Sequence, residues 1–196
     1  MRKYPDNNKP NEFTELALAK HLESTRSRHG LSLDEVAVRS GVSRATLSRI
    51  ERGETSPTAH VLGKLCATYK TTMSRLLMAL EVDTPRHIRF DNATRWRDPD
   101  SGFIRVALSP PAENYTAELA WGQLPSGANL TYDSPPIEGL EQYILLLKGQ
   151  LHLTFDTKNY DLNPMDCLAL KLHGSSAFRN PGKEDAEYLI INSRPL

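Results

Sequence analysis

The chain has 196 residues, 39% of them hydrophobic, and equal numbers of acidic and basic side chains give it a formal net charge of zero. That length allows one large domain or two small ones with a buried core, and no apolar run is long enough for a transmembrane helix. The first residues, MRKYPDNNKPNEF, lack the apolar segment of a secretory signal, and Cys66 and Cys167 follow no spacing motif, which predicts a cytoplasmic protein with two buried thiols.

The charge is distributed unevenly along the chain. Residues 1–82 contain 13 Lys and Arg against 9 Asp and Glu, a net +4, whereas residues 83–196 contain 11 against 15, a net −4. A basic half joined to an acidic half is typical of a protein in which one part contacts an anionic polymer and the other does not.

The N-terminal half has a helical pattern. Residues 1–12 are polar, with two prolines and three asparagines, and we expect a flexible tail there. The spacing of Leu18 and Leu22 predicts an opening helix over Thr14–His29, which Gly30 ends. Ser56-Pro57-Thr58 starts a fourth helix, and Thr72–Leu80 forms a fifth, so five short helices surround a small core.

The stretch Ser32–Gly53, SLDEVAVRSGVSRATLSRIERG, predicts two helices around a tight turn. Ser32 and Glu35 have the spacing of a capping box at the start of the first helix. Gly41 can adopt the positive φ that the turn requires, and Ser43 can cap the second helix.

The outward residues of this second helix are small, hydroxylated or cationic. A helix that enters the major groove of DNA needs short side chains near its N-terminus and a few donors that reach bases and phosphates. The alternative is a solvated helical hairpin. The candidate DNA-binding residues are Ser43, Arg44, Ala45, Thr46, Ser48, Arg49 and Arg52.

The GVSRATLSRIERG run closely resembles the helix-turn-helix of the XRE family of phage-repressor-like transcriptional regulators, over about Thr14–Leu80. The resemblance implies a lambda-repressor-like DNA-binding domain. Family members usually carry a DNA-contacting Gln where this chain has Leu33, so that contact is missing here. The family's pairing of an opening-helix Arg with a recognition-helix Glu implies a structural ion pair between Arg26 and Glu51.

The C-terminal half changes to short segments of strand period separated by turn residues, which predicts a β-sandwich or barrel. The predicted strands are Phe103–Leu108, Tyr115–Trp121, Asn129–Tyr132, Gln142–Leu147, Leu151–Phe155, Met165–Leu170, Ser176–Arg179 and Glu187–Asn192.

The runs GLEQYILLLKGQLHLTF and LNPMDCLALKLHGSSAFRN resemble the two motifs of cupins, with Glu141, Gly149 and Asn180 at matching positions. The resemblance implies a double-stranded β-helix, or jelly-roll barrel. The predicted fold class is therefore a multidomain α+β protein. Its predicted parts are a tail at 1–12, a helix-turn-helix domain at 13–80, a linker at 81–88 and a cupin-like domain at 89–196.

Catalytic cupins hold a divalent metal with three His and one Glu, and only the Glu is present here. The positions of the missing His fall at Ser134, Pro136 and near Ser176. A lone carboxylate among Ser and Pro is a poor metal site, so we expect no metal, no cofactor and no enzymatic activity.

Alternation along a strand suggests a ligand pocket inside the barrel. If Glu141 points inward, Tyr143 and Leu145 do too, and such a pocket would suit a small molecule, for example an amine. The alternative is a barrel filled by its own side chains. The candidate ligand residues are Glu141, Tyr143, Tyr132, Ser176 and Phe178.

These patterns predict a cytoplasmic, sequence-specific DNA-binding regulator whose cupin domain senses a small molecule, dimerises the protein, or both. In this hypothesis Arg44 contacts a base edge, Arg49 and Arg52 hold phosphates, and a homodimer binds double-stranded DNA. Two alternatives remain open: a metal-dependent cupin enzyme with a helical appendage, and an antitoxin-like protein-interaction module.

Overall fold

The computed structural model describes residues 12–77, 87–109 and 115–193, with side chains from Leu16 onward. The predicted tail, apart from Glu12, and most of the predicted linker at 81–88 lie outside these residues, as does the end of the predicted fifth helix. The helical domain contains five helices: α1 (Glu12–Arg28), α2 (Leu33–Ser40), α3 (Arg44–Glu51), α4 (Ala59–Tyr69) and α5 (Met73–Leu77). Within the described residues, no helix is both long and apolar enough to cross a membrane.

The turn between α2 and α3 has the predicted geometry. Ser32 and Glu35 form a capping box at the start of α2, and Gly41 ends that helix with φ 67°. The hydroxyl of Ser43 accepts a hydrogen bond from the backbone N–H of Thr46 at 3.1 Å and so caps α3. Each cap satisfies a helix-end group that would otherwise lack a partner, so the local sequence determines where both helices begin.

An ion pair ties α3 to α1. Arg26 donates from Nε to Oε1 of Glu51 at 2.8 Å and from Nη2 to Oε2 at 2.8 Å. A third hydrogen bond runs from Arg26 Nη1 to the carbonyl oxygen of Leu31 at 3.0 Å. Donating these hydrogen bonds to the carboxylate of Glu51 raises the pKa of Arg26. This planar pairing holds α3 at a defined angle to the helical core.

The β-domain consists of two antiparallel sheets that face each other. One sheet has the strand order β1-β2-β3-β10-β5-β8 and the other has the order β4-β9-β6-β7. The strands are β1 (Arg95–Arg97), β2 (Ile104–Ala107), β3 (Ala117–Leu124), β4 (Asn129–Tyr132), β5 (Glu141–Lys148), β6 (Leu151–Phe155), β7 (Lys158–Leu162), β8 (Cys167–Lys171), β9 (Ser176–Arg179) and β10 (Ala186–Ser193).

Two of these strands were not predicted from the sequence. Both lie at sheet edges: β1 has only three residues, RWR, and β7 reads KNYDL. β1 is too short to show a period, and Leu162 is the only buried residue of β7, so neither strand shows the apolar alternation that identified the other strands. The eight predicted strands all have counterparts: three have the predicted bounds, and the ends of the other five differ by one to three residues.

The predicted inward orientation of Glu141 and Tyr143 is wrong. Gln142 and Ile144 are the buried residues of β5, whereas Tyr143 is 39% exposed on the outer face of the sheet. Glu141 also lies on that outer face, 3.6 Å from the ammonium of Lys171. Alternation determines which residues share a face, but the packing of Ile144 in the core determines which face points inward.

The helical domain docks directly on the β-domain through charged groups that each have a partner. Asp98 accepts a hydrogen bond from the backbone N–H of Ala59 at 2.7 Å, at the start of α4. Glu118 accepts one from Thr72 at 2.5 Å and another from Arg75 at 2.7 Å, at α5. The apolar core runs without interruption from the helices into the barrel. The two domains therefore share one folded unit in this structure.

Gly63 marks the closest approach of α4 to the barrel. A Cβ built at Gly63 would lie 2.7 Å from Cδ1 of Tyr132 on β4. Only a residue without a side chain allows the helix backbone to reach the ring at this distance.

We expect Gly63→Ala to lower the free energy of unfolding by about 1–3 kcal/mol, since the new methyl overpacks the contact with Tyr132. In an unconstrained helix interior the same change stabilises by up to about 1 kcal/mol. Urea unfolding of the full chain, followed by circular dichroism, measures the sign. In a Tyr132→Leu background, Gly63→Ala should raise the free energy of unfolding, as it does in an unconstrained helix. An increase in the free energy of unfolding when Gly63→Ala is made in the wild-type protein would contradict this packing.

Glu51→Ala should lower the free energy of unfolding by about 2 kcal/mol, because it leaves the mostly buried guanidinium of Arg26 without its charged partner. The double variant Arg26→Met with Glu51→Leu removes both charges and should recover most of the loss. Both values come from the same urea titration. A double variant no more stable than Glu51→Ala would show that the lost stability does not come from an unpaired charge.

Candidate nucleic-acid interface

Helix α3 is held from one side only. Leu47 and Ile50 are buried in the helical core, and Glu51 pairs with Arg26 on the same side. The opposite side faces away from both the core and the β-domain. With 100° per residue, Arg44, Ser48 and Arg52 follow one another along this side of the helix.

The exposed side of α3 carries the three predicted arginines. Arg44, Arg49 and Arg52 expose 63%, 59% and 60% of their side chains. In the described residues, the ion pairs of all three are with acids of the helical domain, Asp34 and Glu54. Ser43 and Ala45 are exposed beside them, while Thr46 and Ser48 are half-buried at the edges of the face. The seven predicted residues thus extend along the whole of α3, from its N-cap at Ser43 to its C-cap at Arg52, and five of them are exposed.

The ion pairs of these arginines are exposed and replaceable. Arg44 Nε lies 3.1 Å from Oδ1 of Asp34, and Arg52 Nε lies 2.8 Å from Oε1 of Glu54. Exposed pairs of this kind contribute between about 0 and 1 kcal/mol, so an incoming anion can displace them. Leu33, at the position of the family's Gln, is half-buried and packs against the core. The side chain of Leu33 has no hydrogen-bonding group for an incoming anion.

A second candidate site is a cavity of about 80 Å³ where α4 meets the interior of the barrel. Three of the predicted ligand residues line it: Tyr132, Ser176 and Phe178. The rings of Tyr132 and Phe178 pack edge to face, 6.1 Å apart. Glu141 and Tyr143 lie on the outer face of the sheet, away from this cavity.

Sequence reasoning missed the polar residues inside the cavity. Arg105 on β2, Gln142 on β5 and Tyr188 on β10 all line it. The available signal was an arginine in the middle of the predicted strand Phe103–Leu108, where an inward position is unusual for a charged residue. The helical domain also contributes to the wall, through Gly63, Cys66 and Met73.

Burial controls the charge of the cavity's ionisable groups. Desolvation raises the pKa of the Cys66 thiol to about 12, and it raises the pKa values of Tyr132 and Tyr188 further. All three therefore stay protonated at neutral pH. Burial lowers the pKa of Arg105 from its ordinary value, but arginine starts so high that it remains a cation at neutral pH.

The cavity does not assemble the metal ligands of catalytic cupins. Ser134, Pro136 and Ser176 lie on its wall at the positions of the family's histidines, and they are not metal-binding residues of that chemistry. The carboxylate of Glu141 points to the other face of its strand. Among the residues that the structure covers, no group of three or more His, Cys, Asp or Glu is close enough to hold a metal ion.

Comparison with known proteins agrees with this architecture. Residues 17–78 match a family model described as a helix-turn-helix domain. The HTH-type transcriptional regulator SutR of Escherichia coli (strain K12) is 25% identical over 171 residues, which is 87% of this chain and 91% of that protein. The HTH-type transcriptional regulator SlrR of Bacillus subtilis (strain 168) is 44% identical over 55 residues, 28% of this chain and 36% of that one.

A solved structure extends the comparison across both domains. The crystal structure of an HTH_3 family transcriptional regulator from Vibrio cholerae superposes with a TM-score of 0.76 and is 23% identical, covering 94% of this chain and 99% of that chain. The likeness shows that the same fold occurs in both chains. In this chain a helix-turn-helix domain at residues 17–78 is followed by a double-sheet barrel, and over most of its length the chain is similar to the transcriptional regulator SutR.

Proposed function

We propose that the protein regulates transcription as a homodimer that reads DNA with α3 and senses a small molecule with its cupin domain. The observation that carries the first part is the free arginine face of α3, which is capped at Ser43 and exposed along its length. The helix N-terminus carries a partial positive charge, so it also favours a phosphate.

The residue types suggest a division of roles along α3. Arg44 is near the N-terminus, where a long guanidinium can reach O6 and N7 of a guanine. Ala45 lets the backbone approach the groove, and Ser43, Thr46 and Ser48 make shorter contacts with bases or phosphates. Arg49 and Arg52 lie further along the exposed side and hold phosphates, which position the helix without reading sequence.

The outer face of the six-stranded sheet supports dimerisation. Five apolar or weakly polar side chains are adjacent there, because Tyr143 pairs with Ile191 and Ala169, and Leu145 pairs with Cys167, across neighbouring strands. We call these five residues the outer patch. Small helix-turn-helix domains use two copies on a two-fold site, so the occupant that we propose for the patch is a second copy of this chain.

Sensing is supported by the position of the cavity. Its wall contains residues of both domains, so a molecule bound there would touch the DNA-binding domain and the barrel at once. Such a regulator acts where the chromosome is, in the cytoplasm.

Two alternative functions have direct tests. A metal-dependent enzyme should retain about one iron, manganese or zinc per chain after purification without chelators, which elemental analysis detects. An interaction module whose helices bind only protein should fail to retard the DNA upstream of its own gene in a gel-shift experiment. Retardation of that DNA by protein without bound metal supports the regulator.

Arg44→Ala should reduce discrimination at one base pair of the operator by about 1–3 kcal/mol, since it removes the proposed guanine contact. Arg52→Ala should weaken binding to operator and random DNA alike and reduce the salt slope by about one. Fluorescence anisotropy against operator, single-base variants and random DNA at several salt concentrations measures both effects.

These two variants serve as controls for each other, because both remove an exposed arginine from the same helix. Equal losses on operator and random DNA for Arg44→Ala would refute its base-reading role. An unchanged salt slope for Arg52→Ala would refute its phosphate contact.

Leu145→Glu should convert the dimer to a monomer, because it places a charge in the middle of the outer patch, where a partner would bury it. Light scattering coupled to size exclusion measures the mass, which should fall by half. Met165→Glu is the matched control, since Met165 is 73% exposed and outside the patch. A dimeric mass for Leu145→Glu, or a monomeric wild type, would contradict the proposed interface.

A further inference from the structure

The cavity between α4 and the barrel contains a positive charge that is not balanced locally. Arg105 is 7% exposed, and in the described residues its guanidinium makes one hydrogen bond, from Nη2 to the neutral hydroxyl of Ser74 at 3.1 Å. No carboxylate in those residues forms an ion pair with it. The nearby Glu118 already accepts hydrogen bonds from Thr72 and Arg75.

The cavity wall offers no compensating acid. Among its described lining residues there is no Asp or Glu, and the imidazole of His173, which is 57% exposed, contacts Glu138 at 2.5 Å. A guanidinium has five N–H donors, and leaving a buried charge without partners is costly. The site therefore favours an anionic group over a neutral or cationic one.

Two buried polar atoms in the same cavity have no hydrogen-bond partner among the described residues. One is the hydroxyl of Tyr188, whose residue is fully buried, and the other is Oε1 of Gln142. The amide nitrogen of Gln142 is already used, since it donates to Oδ1 of Asn192 at 2.9 Å. Each orphaned atom lowers the stability of the protein unless water or a ligand satisfies it.

The rest of the wall is mostly apolar and the volume is small. Tyr188 stacks between the rings of Phe103 and Phe178, with centroids 6.3 and 6.2 Å away. A cavity of about 80 Å³ admits a few heavy atoms, in contrast to pockets of about 300–1,000 Å³ that hold drug-sized ligands. The ligand that complements this wall has one anionic end and a short apolar body.

We propose that this cavity binds a small organic monocarboxylate, whose carboxylate faces Arg105 and the hydroxyl of Tyr188 and whose apolar body contacts the aromatic wall. This assignment rests on the proposed sensing function and names its ligand class. It also replaces the amine suggested by sequence, because the carboxylate of Glu141 lies on the outer face of β5 and is not in the cavity.

The same geometry suggests how binding would reach the DNA-binding domain. The present partner of Arg105 is Ser74 on α5, a residue of the helical domain. A carboxylate that takes the guanidinium competes with this contact between the domains. Cys66 and Met73 of the helical domain also line the cavity, so the ligand would change how α4 and α5 pack on the barrel.

The test uses the full chain and a panel of matched probes in isothermal titration and thermal-shift experiments. The probes are propionate, isobutyrate and benzoate, with their neutral amides, the corresponding amines, sulfate and phosphate. We expect at least one carboxylate to bind and to raise the melting temperature, while its amide and amine do not.

Variants assign the binding to this cavity. Arg105→Met should abolish carboxylate binding. Because that variant also loses the contact with Ser74, Tyr188→Phe provides a second measurement, which preserves the ring and should weaken binding about tenfold. Tyr115→Phe, at a residue 57% exposed, is the matched control and should bind like the wild type.

Several outcomes would overturn the proposal: no carboxylate binds, the amide or amine binds as tightly as the acid, only sulfate or phosphate binds, or Tyr188→Phe binds like the wild type. DNA binding, measured separately by anisotropy with and without the carboxylate, tests the proposed function. Carboxylate binding without any change in DNA affinity would retain the site and refute its sensing role. If the unliganded wild-type protein did not bind operator DNA, the proposed function as a regulator would be refuted, whereas the carboxylate site would not.

Discussion

The docking of α4 and α5 on the barrel is the contact on which the rest of this structure depends. Asp98 of the β-domain accepts a hydrogen bond from the first N–H of α4, and Glu118 accepts hydrogen bonds from Thr72 and Arg75 at the start of α5. Each carboxylate lies near a helix N-terminus, where the helix dipole favours a negative charge. Both acids therefore help to fix the orientation of α4 and α5 on the barrel. The close approach at Gly63 then brings the helix backbone against the ring of Tyr132.

This docking leaves α3 free on the other side of the helical domain. The buried residues Leu47 and Ile50 and the ion pair to Arg26 use the inward side of α3, and the arginines remain exposed. The division between a fixed side and a free side is what a groove-reading helix requires, because its position must be set before it meets DNA. In the protein without DNA, the exposed acids Asp34 and Glu54 form ion pairs with the arginines of α3. Such exposed pairs are weak, so their displacement costs DNA binding little free energy.

The same docking also creates the cavity. The barrel interior would be open toward the helices if Gly63, Cys66 and Met73 did not cover it. A buried arginine, an unpaired phenol and an unpaired amide oxygen then meet in a space that neither domain encloses alone. Such groups are rare in well-packed cores, since each unsatisfied one reduces stability, and their grouping here is consistent with a role for the cavity in binding.

How much of the structure the sequence predicts depends on how far apart in the chain the interacting residues are. Local patterns were sufficient for the capping box at Ser32, the turn at Gly41 and the cap at Ser43, because those interactions join residues within a few positions of each other. Apolar alternation identified eight strands, and it missed β1 and β7 because β1 has three residues and β7 is mostly exposed. The motif resemblance to the XRE family predicted the pair Arg26–Glu51.

What the sequence determined by itself is the helices, eight of the ten described strands and the side of α3 that faces outward, since all of these follow from the period of nearby residues. The phase of β5, which places Gln142 inside and Glu141 outside, was decided only by packing of the two sheets. The cavity with Arg105 and Tyr188 also required the tertiary structure. Its walls come from β2, β10 and α4, and no local pattern records how segments so far apart in the chain are brought together when the domains dock.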